Sequence, residues 1–128
     1  MIKYFTKEYI KECDCEEIRG LRPELNYGDW YRYSGEIFIV RPSFEFSNKE
    51  VRNMFTWLPT GSQLDEEIMG ICQTRGGGYY EFNYQHRKYP NKYCFDFESK
   101  AELSGKEFNV KDSNPLIAKI KLLKELLK

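Results

Sequence analysis

The sequence lacks an excess of charge of either sign. Its 128 residues include 20 basic and 20 acidic side chains, so the formal net charge is zero. Proteins that attract nucleic acid or an anionic membrane over long distances usually carry a positive excess. The overall charge balance therefore supports neither of these two functions.

Long apolar runs are also missing. No segment approaches the roughly eighteen apolar residues of a membrane-spanning helix, and the first residues contain no apolar stretch typical of a signal peptide. The four cysteines, at positions 13, 15, 72 and 94, match no spacing of a disulfide scaffold. We therefore expect a soluble cytoplasmic protein in a reducing compartment, with no membrane partner.

Histidine occurs once, at His86. Together with Cys13, Cys15 and Cys94 it has the donor types of a zinc site, but C-x-C is shorter than the usual C-x-x-C knuckle. His86 beside Cys72 or Cys94 would form a nucleophile pair, yet it lies in a basic segment that is typical of a solvated loop. We expect buried or half-buried thiols, no metal, no cofactor and no catalytic residue.

Aromatic residues are abundant instead, at 16% of the chain, with ten Tyr and nine Phe. Such residues favour half-buried sheet surfaces. A chain of 128 residues has the length of a single domain, residues 1–128. Together these features predict an α+β fold, in which a mainly antiparallel sheet of four to five strands packs against two or three helices.

The most strongly specified helix begins after Thr60. Thr60 and Gln63 form a capping box, and the apolar residues that follow recur on one helical face. Gly76 is suited to the left-handed conformation that ends a helix. The residues predicted to bury this face are Leu64, Ile68, Ile71 and Cys72.

Two further helices are predicted from caps and spacing. Thr6 begins one that is followed by a short turn at residues 14–18, and Asn114 with Pro115 begins the last. The last helix carries an apolar stripe of Leu116, Ile120, Leu123 and Leu127. We expect one core that buries Trp57, Leu64, Ile68, Ile71, Leu116, Ile120, Leu123 and the aromatic strand faces.

Several strands are predicted from alternation and turn residues. Residues 29–33 and 36–41 are joined at Ser34-Gly35, and because residues 37–40 are apolar on both faces, we expect a central strand there. A loop at 42–48 and a strand at 51–57 follow. Residues 79–85 and 93–97 alternate as a pair across a loop at 86–92, and 99–111 is irregular apart from a short edge strand at 107–110.

The aromatic strands permit a nucleic-acid hypothesis. Rings along 79–85 and 93–97 could stack RNA or single-stranded DNA bases beside a basic loop, with Tyr80, Phe82, Arg87, Lys88 and Lys92 as binding residues. The same spacing is also what a sheet needs to bury one face against helices. Exposure of the rings decides between these two interpretations.

The last helix provides a second candidate surface. Its lysines, Lys121 and Lys124, gather on a face next to the apolar stripe, while Ile117 and Leu122 project on either side of that stripe. Exposed apolar residues of this kind favour self-association or a partner protein. We therefore predict a partner-binding patch and a modest homodimer.

Two segments resemble known proteins. Trp-Leu-Pro-Thr-Gly-Ser-Gln-Leu-Asp-Glu-Glu-Ile at 57–68 and Asn-Pro-Leu-Ile-Ala-Lys-Ile-Lys-Leu-Leu-Lys at 114–124 are similar to segments of small uncharacterised proteins of bacteriophages and prophages. Residues 7–18 fit more loosely, and 43–52 do not match. The resemblance implies a phage or prophage origin and a host bacterial cytoplasm, but no activity.

We therefore expect a non-enzymatic binding module that acts on a host or phage protein. This expectation rests on the resemblance and on the lack of residues that converge on a reaction. Nucleic-acid binding through the aromatic strands is the alternative.

Overall fold

The computed structural model describes residues 5–21, 25–41, 55–75, 78–89 and 92–128, with side chains except at 84–89 and 92–96. These ranges hold four helices and six strands in two compact units, unit 1 (residues 1–60) and unit 2 (residues 61–128). The α+β class is confirmed. The strands form two three-stranded sheets, so the single sheet of four to five strands is wrong. The single domain stays a prediction.

Unit 1 begins with two short helices, α1 (Lys7–Cys13) and α2 (Glu16–Leu21). The predicted cap is confirmed, because Thr6 Oγ1 accepts a hydrogen bond from the Tyr9 backbone N–H at 3.1 Å. Both helices contact β3 (Phe55–Leu58). The buried Tyr9 hydroxyl donates to the Pro59 carbonyl at 2.6 Å, which ties α1 to the end of β3.

The first sheet joins β1 (Trp30–Tyr33) and β2 (Glu36–Ile39) through a two-residue turn. Ser34 and Gly35 have φ angles of 50° and 81°, which confirms the predicted primed turn. The strand order is β2-β1-β3, and Tyr31 lies opposite Phe38 on one side and Trp57 on the other. One face of this sheet contributes a small buried cluster of Tyr31, Val40 and Phe55, with Leu25 against it.

The position of β2 contradicts one prediction. Residues 37–40 were expected in a central strand because they are apolar on both faces, but β2 lies at an edge of its sheet. Phe38 and Ile39 are exposed as a result, at 37% and 39%. The apolar pattern indicates that both faces of the strand are apolar. It does not indicate which part of the protein covers them or where the strand lies in its sheet.

Unit 2 begins with α3 (Gly61–Thr74), which starts directly after Thr60 as the cap predicts. The predicted buried face is confirmed, since Leu64, Ile68, Ile71 and Cys72 are all buried. Leu116, Ile120 and Leu123 of the predicted core are buried as well, and so is Trp57 in unit 1, while Tyr80, Phe82 and Phe97 of the aromatic strand faces are half-buried. Gly76, the loop at 42–48 and residues 51–54 of the predicted strand lie outside the described residues.

The second sheet has the order β4-β5-β6, with β4 (Tyr80–Tyr89), β5 (Lys92–Leu103) and β6 (Lys106–Asp112). The predicted loop at 86–92 is wrong, because β4 continues to Tyr89 and β5 begins at Lys92. The predicted antiparallel pairing of these two strands is confirmed, but most of their aromatic residues do not lie opposite one another. Tyr80 lies opposite Ala101, and Phe82 opposite Ser99.

Of the prediction for 99–111, the short edge strand at 107–110 is confirmed as part of β6, but the irregular structure expected for the rest is wrong. Most of it forms β5 and β6, joined by a turn in which Ser104 and Gly105 have φ angles of 52° and 81°. The buried positions of β5 are small: Ser99 and Ala101 are fully buried, and Ser99 Oγ donates to the Ala118 carbonyl at 2.6 Å. Because small residues let a helix lie close to the strand, no row of large apolar residues marks residues 99–103 as the continuation of the strand predicted at 93–97.

The chain ends in α4 (Pro115–Leu127), whose predicted cap is confirmed. Asn114 Oδ1 accepts hydrogen bonds from the backbone N–H groups of Leu116 and Ile117 at 2.9 and 3.3 Å. The helix contacts α3, β5 and β6. Within the described ranges, none of the helices combines the length and apolar character needed to cross a membrane.

Candidate interaction surfaces

The predicted partner-binding patch on α4 is not exposed. Ile117 and Leu122 are 3% and 0% exposed, so the expectation that they remain at the surface is wrong. The helix packs against α3 and against the sheet strands β5 and β6, and this covers a much wider face than the predicted stripe. Of the two lysines, Lys121 is exposed and lies 3.9 Å from the Asp112 carboxylate, while Lys124 is half-buried.

A buried lysine of α4 anchors a polar cluster inside unit 2. The Lys119 ammonium lies 3.0 and 3.1 Å from the two Asp65 carboxylate oxygens, and its side chain is 11% exposed. The Tyr80 hydroxyl donates to Asp65 Oδ1 at 2.7 Å. Burial, and then the hydrogen bond to Asp65, raise the pKa of Tyr80 well above its ordinary value of 10.0. No local sequence pattern marks this cluster, because its members are separated by up to 54 positions.

The aromatic residues proposed for base stacking belong to the same region. The Phe82 ring stacks on Phe97 with centroids 5.8 Å apart, and the Lys119 ammonium lies 4.2 Å from the Phe82 centroid. Both Tyr80 and Phe82 are half-buried and occupy the strand face that Ser99 and Ala101 share. Their rings are therefore engaged within unit 2, as the burial interpretation expects.

The opposite face of this sheet is charged. Lys100 lies 2.8 Å from Glu107, and Lys111 lies 3.6 Å from Glu98. Asn109 Nδ2 also donates to Glu98 at 3.1 Å. Exposed ion pairs of this type contribute little to stability. Within each of these two ion pairs the charges neutralise one another.

The basic residues of the nucleic-acid hypothesis lie further along β4 and β5. The third strand, β6, pairs with residues 97–103 of β5 only. Residues 85–89 and 92–96 pair with each other past that point and form a two-stranded segment, which we call the β-ribbon. It includes Arg87, Lys88, Lys92 and Asp96. The structure thus separates the two halves of the hypothesis, with packed aromatic rings on one part of the sheet and basic residues on another.

The cysteines show no reactive arrangement among the described side chains. Cys13 and Cys72 are buried and Cys15 is half-buried, and burial raises the pKa of the Cys72 thiol. The part of the chain that the structure describes contains no group of three or more residues suited to hold a metal ion. The side chains of His86 and Cys94 lie outside this part, so the zinc and nucleophile hypotheses that involve them stay open.

The exposed apolar surface of unit 1 centres on β2. Val40 donates its N–H to the Asp29 carbonyl at 2.8 Å and accepts from the Gly28 N–H at 3.0 Å. Because the backbone groups of alternate residues point to opposite sides of a strand, those of Phe38 also face β1, while those of Ile37 and Ile39 point away. We call this outer side of β2, with the exposed side chains of Phe38 and Ile39, the β2 edge.

In the part of the chain that the structure describes, β2 carries no lysine or proline to protect its outer side. Natural edge strands carry Lys, Pro or a bulge that prevents pairing with another chain. Residues 37–40 are Ile-Phe-Ile-Val, and the charges closest to them are Glu36 and Arg41 at the two ends. The sequence signal for this surface is the run of apolar residues at 37–40, which makes both faces of the strand apolar.

None of the protein families, curated proteins or solved structures with which the chain was compared matches it. The two segments that resemble phage and prophage proteins are placed as their local signals predict. One includes the end of β3 and the beginning of α3, and the other contains the cap and first turns of α4. The family relationship itself stays a prediction.

Proposed function

We propose that this chain is a non-enzymatic binding module, encoded by a phage or prophage, that acts on a host or phage protein in the bacterial cytoplasm. The origin rests on the resemblance of residues 57–68 and 114–124 to phage and prophage proteins. The mode of binding rests on one observation, the β2 edge. We assign the partner site to this edge because Ile117 and Leu122 are buried.

The β2 edge favours addition of a strand from another protein. Exposed edge strands bind extended segments through main-chain hydrogen bonds, while pockets for alternate side chains supply specificity. Here the outward N–H and C=O groups of Ile37 and Ile39 provide the hydrogen bonds. Phe38 and Ile39, one on each face of the strand, provide apolar surface. The partner is therefore a protein with an accessible extended segment that is apolar in its middle.

An affinity capture from phage-infected bacteria tests this function. We expect the parent protein to retain a specific partner, in samples with and without nuclease. The Ile39→Lys variant should lose that partner, because a lysine on an edge strand opposes pairing. Met69→Lys is the matched control, since Met69 is exposed at 47% but lies on α3 in unit 2, and it should retain the partner. Equal capture by all three proteins would contradict the proposal.

Nucleic-acid binding is a second candidate function, and the β-ribbon favours it. Three basic residues and one acidic residue lie on this segment, in a chain whose formal net charge is zero. A local positive excess on a projecting pair of strands suits contact with phosphates of RNA or single-stranded DNA. Tyr80 and Phe82 have no stacking role in this version, because their rings pack inside unit 2.

Salt dependence tests this second function. Binding to a labelled mixed oligonucleotide should weaken steeply as salt rises, because phosphate contacts release counterions. Replacing Arg87, Lys88 and Lys92 by alanine together should abolish it. The double variant Lys121→Ala, Lys124→Ala is the control and should bind like the parent. Absence of binding by the parent at low salt would reject nucleic acid as the ligand.

A further inference from the structure

The β2 edge has the properties of a surface that can pair with itself. We infer that β2 of one molecule pairs antiparallel with β2 of a second copy. This homodimer covers the β2 edge when no partner is bound. Only the last clause rests on the proposed function. The pairing itself would join the three-stranded sheet of unit 1 in one copy to the same sheet in the second copy, as one continuous sheet.

The backbone of β2 fixes the register of this pair. A twofold axis between two antiparallel edges requires one residue to lie opposite its own copy. With Phe38 at the centre, Ile37 lies opposite Ile39 of the second copy. These are the two residues whose N–H and C=O groups point away from β1, so each such pair exchanges both backbone hydrogen bonds. Phe38 then lies opposite Phe38 of the second copy at a close, non-hydrogen-bonded position, where the two rings cover each other.

The charges at the ends of β2 favour the antiparallel direction. Glu36 precedes the apolar residues and Arg41 follows them, and both side chains are exposed. In the register centred on Phe38, Arg41 of the second copy lies opposite Gly35, directly beside Glu36. These two side chains point to opposite faces of the sheet, and no charged residue in this register lies opposite a like charge. A parallel arrangement would instead place Glu36 beside Glu36 and Arg41 beside Arg41, which is unfavourable.

The size of the surface predicts a weak dimer. Tyr33, Phe38 and Ile39 are each 37–39% exposed. Since a large aromatic side chain buries about 150–250 Å² in full, these three contribute on the order of 200–300 Å² per copy. Stable interfaces bury about 800 Å² per partner. The dimer should therefore be weak, forming only at high micromolar concentrations, and give way to a partner that makes further contacts.

Sedimentation over a concentration series, from about 5 to 500 µM in reducing buffer, tests the inference. We expect the parent to show a monomer–dimer equilibrium. Ile39→Pro should weaken association at least tenfold, because it removes an N–H that points away from β1, where an edge strand tolerates proline. Ile39→Lys should do the same by charge, which keeps the test valid if proline disturbs folding. Met69→Lys should associate like the parent.

A parent that is monomeric at about 500 µM, or that dimerises equally well as Ile39→Pro and Ile39→Lys, would overturn the inference. A monomeric parent that still captures a partner through Ile39 would leave the proposed function intact, and a dimer that captures none would reject that function alone.

Discussion

Gly78 occupies a position where the backbone of unit 2 leaves no room for a side chain. An added Cβ would lie 1.5 Å from the carbonyl oxygen of Glu102. The neighbouring backbone holds the segment in place, because Gly78 donates its N–H to the Cys72 carbonyl and Tyr79 accepts from the Glu102 N–H. The segment after α3 therefore approaches β5 so closely that only glycine fits at position 78.

We predict that Gly78→Ala destabilises the protein by about 2 kcal/mol or more, since the clash is with backbone and forces it to move. Gly70→Ala is the control, because Gly70 lies inside α3 with no atom within 4 Å of an added Cβ. It should stabilise by about 0.5–1 kcal/mol through helix propensity. Urea unfolding of both variants checks this, and equal stabilities would show that the close approach is absent.

Tyr80 makes stability depend on pH at the alkaline end. Its pKa is raised in the folded state by burial and by its hydrogen bond to Asp65, from an ordinary value of 10.0. The fold therefore favours the protonated phenol, and this contribution is present below about pH 10 and lost as the pH rises above it. Burial also raises the pKa values of Tyr31 and Cys72, so these two groups add to the loss of folding stability at alkaline pH.

We predict that Tyr80→Phe lowers the free energy of unfolding by about 1–3 kcal/mol at neutral pH, because a hydrogen bond to a carboxylate is lost. Above about pH 10 the variant should lose stability less steeply than the parent. Denaturant melts of both proteins between about pH 7 and 11 measure this difference. Parallel curves over the whole range would mean that Tyr80 titrates alike in the folded and unfolded states.

At the scale of elements, α3 is the part that local signals describe best. Its start after Thr60 and its four buried residues agree with the capping and spacing rules. Ile68→Ala should cost about 2–5 kcal/mol, because Ile68 is fully buried and the change leaves a cavity. Met69→Ala, one residue further and exposed, should change stability by less than about 0.5 kcal/mol. A urea melt in which Ile68→Ala matches the parent would show that α3 is not docked.

Other elements depend on information that no local window contains. In the second half of β5 the buried residues, Ser99 and Ala101, are small, and Ser99 bonds to the Ala118 carbonyl of α4, so alternation of large residues fails there. The wide burial of α4 follows from its contacts with both α3 and the sheet. A single apolar stripe along the helix predicts one neighbour and gives no sign of the second. The turn at Ser104–Gly105 could have been found, since the same dipeptide at 34–35 correctly predicted a hairpin.

For the whole molecule, sequence patterns predicted the α+β class but not the division of strands between two sheets. Alternation shows that a strand has a buried face, whereas sheet membership depends on which strands meet after folding. The candidate site illustrates this difference. The apolar pattern of residues 37–40 predicted a central strand covered on each side, and this is wrong, because β2 lies at an edge and Phe38 and Ile39 are exposed.

The central claim is that the β2 edge accepts another strand, and amide hydrogen exchange at single-residue resolution tests it most directly. In dilute protein the amides of Ile37 and Ile39 should exchange rapidly, while that of Phe38 is protected by β1. At high concentration, or with a captured partner, Ile37 and Ile39 should become protected together. Rapid exchange of both amides in protein shown to be associated would contradict the claim.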